Sequence, residues 1–275
     1  MKRHSGDHPV AYPNPPRMDF GPEQSVHGLA WGRQHGGYFG DPEVARAMVD
    51  AVRGIWGQAD PDAVVDLGGG TGFWLTQLRE AGLGRPAALV VLDASVEQLG
   101  QAAAAGLECV QGSVDTFRRG EVAPERGRIL YVMRSVLHYT GEQGWRRLLR
   151  HIRRQAEPGE YWVHQTACFE RREDAACLNA LYRKMRTDKW YPTVRALGLA
   201  LESSGWDVVS TSPAPTLHLK SGELGTRYGL DAAELKQIQR EMGAEHGADN
   251  PVFHAAEDGF QAELPYRIWV CRAAP

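Results

Sequence analysis

The stretch VVDLGGGTGFW, residues 64–74, decides the fold of this chain. It opens with a short apolar run that is typical of a buried strand. Four glycines then fall within five residues, and Leu75, Leu78 and Ala81 follow at helical spacing. Glycines in such a turn reach positive φ angles and let a ligand approach the backbone, and the N–H groups that begin the following helix attract a carboxylate or a phosphate. The stretch therefore predicts a strand, a ligand-binding turn and a helix.

The spacing of these glycines distinguishes the common ligand-binding turns. A dinucleotide-binding turn would place its third glycine at Phe73, and a phosphate-binding P-loop would continue with Gly-Lys-Ser/Thr; the chain has neither. Asp66 instead stands two residues before Gly68 and begins an Asp-x-Gly-x-Gly-x-Gly pattern that ends at Gly72. This pattern resembles motif I of the class I S-adenosylmethionine (SAM)-dependent methyltransferases. The resemblance implies that Asp66 and the glycine turn bind the amino-acid end of SAM; the alternative is a plain glycine turn of an α/β protein.

The composition is that of an ordinary soluble globular protein, with 43% hydrophobic and 24% charged residues. No apolar run approaches the roughly 20 residues that span a bilayer, and the N-terminus lacks the apolar core of a signal peptide. The cysteines show no metal-binding spacing, so we expect reduced thiols and no metal site. A net charge of −3 argues against a general nucleic-acid binder. These features predict a cytoplasmic enzyme.

The length of 275 residues suits one large α/β domain with insertions. Residues 1–40 are expected to form a flexible N-terminal segment and lid, because their first part is rich in Pro, His and Gly. Residues 41–275 are expected to form the SAM-binding domain, with cap insertions at about 169–192 and 211–265. A segment as long as the second insertion is usually functional inside a compact domain.

The second buried strand is predicted at Ala88–Asp93, about 20 residues beyond the glycine turn. The carboxylate of Asp93 can accept hydrogen bonds from both hydroxyls of a ribose there. The alternative is that Asp93 only caps the helix that follows. The third strand leads into Gly112, Ser113 and Val114, where the resemblance implies contact with the adenine. Ser113 stands where relatives usually carry an acid, and Asp115 is a possible substitute.

The fourth strand is predicted at residues 128–133, and Arg134, His138 and Tyr139 lie in its exit. Ligands of open α/β sheets lie outside the carboxyl ends of the strands, so this exit faces the reacting centre. The exit is similar to that of small-molecule methyltransferases and lacks the Asn/Asp-Pro-Pro-aromatic box of enzymes that methylate nucleobase amines. His138 could act as a general base, or it could be a packing residue at the edge of the SAM site.

The first insertion offers the aromatic rings of Tyr182, Trp190 and Tyr191. Such rings attract a sulfonium or an ammonium by cation–π interaction, worth about 0.5–2 kcal/mol each. A plain hydrophobic cap is the alternative.

Together these features predict an α/β fold with the Rossmann-like, seven-stranded sheet of class I methyltransferases, its last strand antiparallel, with helices on both faces and additional lid segments. The candidate catalytic residues are His138, Tyr139, Tyr182 and Tyr191. The cofactor-binding residues that the resemblance implies are Tyr38, Asp66, Gly68, Gly69, Gly70, Asp93, Ala94, Gly112, Ser113, Val114 and Arg134.

Three functions remain open at this stage. The leading hypothesis is methyl transfer from SAM to a small-molecule acceptor in bacterial specialised metabolism, with neither nucleic acid nor membrane as a partner. Positioning the acceptor in line with the methyl–sulfur bond and excluding water would supply most of the rate. Some relatives instead use SAM as the substrate, whose amine displaces methylthioadenosine to form azetidine-2-carboxylate. The third possibility is a SAM-binding sensor or scaffold without catalysis.

Overall fold

A computed structural model of the chain describes residues 35–84, 87–123, 125, 127–247 and 249–275. The strands are β1 (Ala63–Leu67), β2 (Ala88–Asp93), β3 (Glu108–Gln111), β4 (Ile129–Arg134), β5 (Tyr161–Ala167), β6 (Trp206–Lys220), β7 (Asp249–Asn250), β8 (Phe253–Ala256) and β9 (Gly259–Ala273). The helices are α1 (Pro42–Ala59), α2 (Phe73–Glu80), α3 (Val96–Ala104), α4 (Arg119–Val122), α5 (Gly141–Gln155), α6 (Arg172–Lys184), α7 (Val194–Ser203), α8 (Ser221–Tyr228) and α9 (Ala232–His246). Short 3-10 turns occupy His35–Gly40 and Leu137–Thr140.

All these strands belong to one sheet, in the order β3–β2–β1–β4–β5–β9–β8–β7, and β6 pairs with β9. The first five strands are parallel, and β9 runs antiparallel to β5 and β6. The predicted sheet and its antiparallel last strand are therefore confirmed. The short strands β7 and β8 add a hairpin from the second insertion, which the sequence analysis left without strands.

The central strands are apolar because both of their faces are covered. All five residues of β1 are buried, and successive side chains along it point to opposite faces. Val65 packs with the α5 and α7 side chains Leu148 and Leu197. Val64 packs in a second cluster with residues of α1, α2 and α3, such as Met48. This two-sided burial explains the near-continuous apolar runs that mark parallel strands.

Two strands are longer than the sequence predicts. β6 continues to Lys220 and β9 begins at Gly259, so both strands extend into the region that the sequence predicts as the second cap insertion, residues 211–265. Pro213 and Pro215 conceal the extension of β6 because proline usually interrupts a strand. An edge strand tolerates proline, and one of the two bulges of β6, between Ala214 and Leu217, lies at Pro215. Residues 211–220 and 259–265, expected within the second insertion, therefore continue the sheet.

The cap consists of α6, α8, α9 and the β7–β8 hairpin, with the extended parts of β6 and β9 beneath them. Its apolar side chains form a separate cluster that includes Leu181, Leu219 and Phe260. Tyr38 and Phe39 of the first 3-10 turn join this cluster. The end of the predicted N-terminal lid therefore packs against the cap through Tyr38 and Phe39, and residues 1–34 lie outside the described part of the chain. No described helix is long and apolar enough to cross a bilayer.

Candidate active site

The glycine turn after β1 has the geometry that only glycine allows. Gly68 and Gly70 have φ angles of 72° and 57°, in the region that other residues rarely adopt. A Cβ atom at Gly68 would lie 2.8 Å from Val136 Cγ2, and one at Gly70 would collide with Gln98 Oε1. The Gly68 N–H donates to the carbonyl of Leu92 at 2.7 Å and ties the turn to β2. The turn is therefore a tight backbone cradle at the carboxyl ends of β1 and β2.

Asp93, at the end of β2, organises this cradle. Its Oδ2 accepts from the Gly70 N–H at 2.9 Å and its Oδ1 from the Ser95 N–H at 2.8 Å. Ser95 is the residue that caps α3, since its side chain accepts from the Gln98 N–H. The interpretation of Asp93 as a simple helix cap is therefore wrong.

Asp66 lies beneath the same turn, only 2% exposed. A Cβ atom on Gly69 would lie 2.6 Å from its carboxyl carbon, so the carboxyl group fills the space that Gly69 leaves. Burial, and then the negative charge of Asp93, raise the pKa of Asp66 to about 7, against the opposing effect of Arg134. Two neighbouring carboxyl groups under a turn favour a ligand that brings positive charge.

The exit of β3 brings together the two residues between which the sequence left a choice. The Ser113 hydroxyl donates to Asp115 Oδ1 at 2.6 Å, so serine and acid form one unit. The Gly112 N–H donates to the carbonyl of Asp93 at 3.0 Å, which places this exit beside the end of β2. Val114 is buried below it, and Ala94 is partly exposed beside Asp93. The cofactor-binding residues predicted at β1, β2 and β3 therefore all lie at the end of the sheet where these parallel strands have their carboxyl ends.

Arg134 and Tyr38 connect the carboxyl ends of the strands to the N-terminal segment. Arg134 donates to the backbone carbonyls of Phe39 at 3.1 Å and Tyr38 at 3.2 Å, and burial lowers its pKa. The Tyr38 hydroxyl donates to the carbonyl of Pro215 at 2.6 Å and accepts from Gln165 Nε2 at 3.2 Å. The polar groups of these two predicted cofactor residues are thus engaged in holding the 3-10 turn against the sheet and the cap.

A small pocket lies beyond the exit of β4 and beneath the cap. All four predicted catalytic residues, His138, Tyr139, Tyr182 and Tyr191, line it. The structure therefore joins two residues from the strand exit with two that follow later in the chain, as the hypothesis of a cap over the reacting centre requires.

Aromatic contacts position His138 and Tyr191 in this pocket. The His138 ring lies 4.1 Å from that of Tyr139 and stacks on Tyr191 at 5.3 Å, measured between ring centroids. The Asn179 side chain holds the Tyr191 backbone, donating to its carbonyl at 2.9 Å and accepting from its N–H at 2.8 Å. Burial raises the pKa of the Tyr191 phenol well above its usual range. Tyr191 is therefore a hydrogen-bond donor at neutral pH, not a base.

Trp190 does not contribute to the pocket. Its ring stacks on Trp145 of α5, with 5.2 Å between centroids and 23° between planes, and it packs against the core below the cap. The interpretation of Trp190 as an aromatic face for a cationic ligand is therefore wrong.

Two cationic residues in the pocket were missed by the sequence analysis. Lys189 is 6% exposed, and its Nζ donates to the Tyr228 hydroxyl at 2.7 Å. Arg227 lines the same pocket from α8. Lysine and arginine in a polar stretch usually indicate exposed positions, and only the aromatic neighbours of Lys189 could have indicated otherwise. Within the described ranges, no cluster of His, Cys, Asp and Glu could hold a metal ion.

Comparisons with known proteins agree with this geometry. A family model described as "Methyltransferase domain" matches residues 41–211. No curated protein matches the sequence.

Solved structures share the fold at low sequence identity. The YcgJ protein from Bacillus subtilis is 12% identical, with a TM-score of 0.64 over 86% of this chain and 100% of that one. A Bacillus halodurans protein, provisionally assigned as a methyltransferase, is 11% identical, with a TM-score of 0.62 over 82% and 99%. A SAM-dependent methyltransferase from Thiobacillus denitrificans, in complex with S-adenosyl-L-homocysteine, is 14% identical, with a TM-score of 0.50 over 94% and 99%.

Proposed function

The chain belongs to the family of class I SAM-dependent methyltransferase domains, and from this premise we propose that it methylates a small molecule held in the pocket beyond β4. The observation that carries the proposal is the pocket itself, in which His138, Tyr139, Tyr182 and Tyr191 lie beneath a cap at the carboxyl ends of the strands. A pocket roofed in this way suits a small acceptor better than a nucleic acid or a protein chain, each of which would need an open cleft.

The residues at the carboxyl ends of β1, β2 and β3 fit SAM. The glycine turn is a cradle that any Cβ atom would fill. Asp93 stands at the end of the second strand, where a carboxylate can accept from ribose hydroxyls, and Asp66 lies where a ligand ammonium would be stabilised. We assign the adenine to the Ser113–Asp115 pair, with Gly112, Val114 and Ala94 beside it. When bound, SAM supplies an electrophilic methyl group, which the nucleophilic atom of the acceptor takes as the carbon–sulfur bond breaks and its electron pair stays on sulfur.

The pocket residues then act on the acceptor. Tyr191 donates a hydrogen bond, and His138 removes the acceptor proton where the nucleophile carries one. The cap excludes water, and holding the acceptor in line with the methyl group supplies most of the rate. Residues 1–40 serve as the lid, with Arg134 and the Tyr38 hydroxyl anchoring its end. We place the reaction in bacterial specialised metabolism and in the cytoplasm.

A second candidate is that SAM is itself the substrate and cyclises to azetidine-2-carboxylate with release of methylthioadenosine. The aromatic lining of the pocket favours this candidate, because the rings of His138, Tyr139, Tyr182 and Tyr191 could hold the methionine chain of SAM folded. In this reaction the amine of SAM forms a bond to its own γ-carbon, the bond from that carbon to sulfur breaks, and the amine loses a proton.

The product formed from SAM tests both candidates. The purified protein is incubated with SAM alone and then with candidate acceptors, and the nucleosides are identified by liquid chromatography and mass spectrometry. Methyl transfer predicts S-adenosylhomocysteine only when an acceptor is present. Methylthioadenosine with an equal amount of the cyclic amino acid, from SAM alone, would contradict methyl transfer and support the second candidate. Asp93→Ala is the negative control in both cases.

A further inference from the structure

Two hydroxyl groups that the sequence analysis did not single out lie together in the wall of the pocket. Ser135 is the first residue after β4, and Tyr266 lies in β9. Both residues line the pocket and are almost fully buried, with 4% and 2% of their surface exposed. Their side-chain oxygens are 2.6 Å apart and share a hydrogen bond. The two hydroxyls therefore form one polar unit, which we call the hydroxyl pair.

A count of hydrogen atoms shows what the hydroxyl pair can offer to a ligand. Each hydroxyl has one hydrogen to donate and two lone pairs with which to accept. Whichever oxygen is the donor, the bond between them uses one hydrogen, and the other hydrogen remains. Within the described part of the chain, neither hydroxyl has a second hydrogen-bond partner. A buried donor without an acceptor is unfavourable, so the pair favours a ligand that brings an acceptor atom.

The hydroxyl pair is uncharged at neutral pH. Burial raises the pKa of the Tyr266 phenol above its usual range, although the hydrogen bond with Ser135 and the positive charge of Arg134 oppose this shift. The phenol therefore keeps its proton, and the serine hydroxyl does not ionise in this range. The pair is thus a donor of hydrogen bonds, and it does not serve as a base.

The backbone of Ser135 is strained in the position that forms the pair. Its φ angle is 61°, in the left-handed region that residues with a side chain seldom adopt. Its N–H donates to the carbonyl of Gln165 at 2.9 Å, and its hydroxyl is held by Tyr266. Strained residues of this kind cluster at active sites and at segments that hold ligands. The backbone therefore points to the same residue as the remaining hydrogen does.

The hydroxyl pair lies at the end of the sheet where the reaction is proposed to occur. Ser135 precedes His138 by three residues in the exit of β4, and ligands of open α/β sheets bind outside these strand ends. Tyr266 pairs with Ala167, the last residue of β5, because β9 runs antiparallel to β5. Residues that are distant in sequence thus meet in the pocket that also contains His138.

We propose that Ser135 and Tyr266 together bind an oxygen atom of the methyl acceptor, and so select acceptors that carry a carbonyl or hydroxyl oxygen. The inference rests on the proposed function, since it names the class of small molecule that the pocket takes. A site that hydrogen-bonds to its substrate rejects an analogue without the bonding group, because the polar groups of the site are then left unpaired. The two residues position the acceptor and take no proton from it.

Two probes of the same shape test the proposal without requiring turnover. Acetophenone carries a carbonyl oxygen, and α-methylstyrene has a CH2 group in the place of that oxygen. NMR titrations measure both dissociation constants in the presence of saturating S-adenosylhomocysteine. The proteins are the wild type, Ser135→Gly, Tyr266→Phe, the double variant and Tyr131→Phe. Tyr131 is the matched control, because it is a buried tyrosine whose hydroxyl donates to the carbonyl of Gln155 at 2.8 Å and which does not line the pocket.

We expect the wild type and Tyr131→Phe to bind acetophenone about fivefold more tightly than α-methylstyrene, as one net hydrogen bond predicts. Each single variant keeps one hydroxyl that can still donate, so it should lose only part of this preference. The double variant should lose all of it, through weaker binding of acetophenone alone. Its affinity for S-adenosylhomocysteine should stay within about threefold of the wild type, because the pair serves the acceptor.

Equal affinities for the two probes in the wild type would overturn the proposal, as would failure of acetophenone to bind at millimolar concentration. An unchanged preference in the double variant would do the same. A large loss of affinity for S-adenosylhomocysteine in that variant would assign the pair to the cofactor and also overturn the proposal. If the wild type binds neither SAM nor S-adenosylhomocysteine, the proposed function itself is wrong.

A second measurement does not depend on the folding of the variants, which thermal unfolding checks. Crystals of the wild type with S-adenosylhomocysteine are soaked in acetophenone. Its oxygen should lie about 3 Å from Ser135 Oγ or Tyr266 Oη, within hydrogen-bond distance. An acetophenone molecule whose oxygen points away from both hydroxyls would overturn the proposal.

Discussion

At the amino ends of the parallel strands, Glu160 is a buried acid with a complete set of partners. It accepts from Arg119 at 2.7 and 2.8 Å, from the Ile129 N–H at 2.6 Å and from the Glu157 N–H at 2.8 Å. At the carboxyl ends of the same sheet, Asp66 is equally buried, but its pKa is raised to about 7.

Other groups at the carboxyl ends are also incompletely satisfied. Among the described residues, Arg134 Nε and Gln165 Oε1 are buried without a hydrogen-bond partner. An unsatisfied buried polar group costs about 1–3 kcal/mol. We infer from the comparison that buried charge at the amino ends serves the fold, whereas the proposed function assigns buried charge at the carboxyl ends to ligand binding.

The largest effect is expected at the amino ends. Glu160→Ala should lower the free energy of unfolding by about 3–5 kcal/mol, because Arg119 would remain as a partly buried charge without its principal partner. Denaturation in urea measures this change. Glu157→Ala is the matched control, since its carboxylate lies 3.5 Å from the same Arg119 and is 66% exposed; we expect less than about 1 kcal/mol. If the folded Glu160→Ala variant lost affinity for S-adenosylhomocysteine, buried charge at the amino ends would also serve ligand binding, and the distinction between the two ends of the strands would be wrong.

A smaller effect, on binding instead of folding, is expected at the carboxyl ends. Asp93→Ala should weaken S-adenosylhomocysteine binding by about 100-fold, because hydrogen bonds to a charged group contribute about 1.5–3 kcal/mol each and 1.4 kcal/mol is tenfold. Calorimetry measures the dissociation constant. Ser95→Ala removes the neighbouring helix cap and should cost about 1 kcal/mol of stability with affinity unchanged. Equal affinities in wild type and Asp93→Ala would remove the ribose assignment.

The third effect depends on pH. Because burial raises the pKa of Asp66 to about 7, the folded protein holds this proton more tightly than the unfolded chain. The protonated Asp66 carboxyl therefore stabilises the fold fully below about pH 4, and this stabilisation is lost as the pH rises to about 7. A ligand ammonium needs the carboxylate, so affinity for S-adenosylhomocysteine should rise with pH, by up to tenfold per unit, and level off above about pH 7.

Calorimetry between pH 5.5 and 8 checks this dependence, which Asp66→Asn should abolish. Asp62→Asn is the control from the amino ends, where Asp62 accepts from the Arg128 N–H at 2.8 Å; its profile should match the wild type. A flat wild-type profile would show that Asp66 does not titrate in this range.

The smallest effect concerns the tether of the N-terminal segment. Tyr38→Phe removes the hydrogen bonds to Pro215 and Gln165 and should lower stability by about 1 kcal/mol. The affinity for S-adenosylhomocysteine should change less than threefold. A tenfold loss of affinity with stability unchanged would show instead that the Tyr38 hydroxyl serves the cofactor directly.

The parts predicted well from sequence are those that local patterns determine. The glycine turn needs positive φ at Gly68 and Gly70, and the second strand, Ala88–Asp93, agrees with the structure residue for residue. Both depend on neighbouring residues alone. Asp93 could be placed beside the glycine turn because parallel strands end at one edge of the sheet.

The parts predicted poorly depend on contacts between distant segments. Lys189 is buried by tyrosines from the exit of β4, from α6 and from α8, and no local pattern shows that these three meet. The length of β6 could not be predicted from the sequence, because exposed residues and prolines usually indicate a loop. An edge strand tolerates both. Trp190 was grouped with Tyr182 and Tyr191 because all three lie in the insertion that was expected to form a cap, although its ring stacks on Trp145.

The continuity of β6 and β9 with the cap has a consequence for motion. Their pairing runs without a connecting loop from Trp206–Ala273 in the sheet to Lys220–Gln261 beneath the cap, interrupted by two bulges. A hinge needs a few residues that absorb a large backbone change, and hydrogen-bonded strands resist one. The cap is therefore expected to move as one body with the sheet, and amide hydrogens of residues 217–220 should exchange as slowly as those of β5. The pocket is then expected to open by movement of the turn around Gly36 and Gly37. The amide hydrogens of these two glycines should exchange fastest among the described residues.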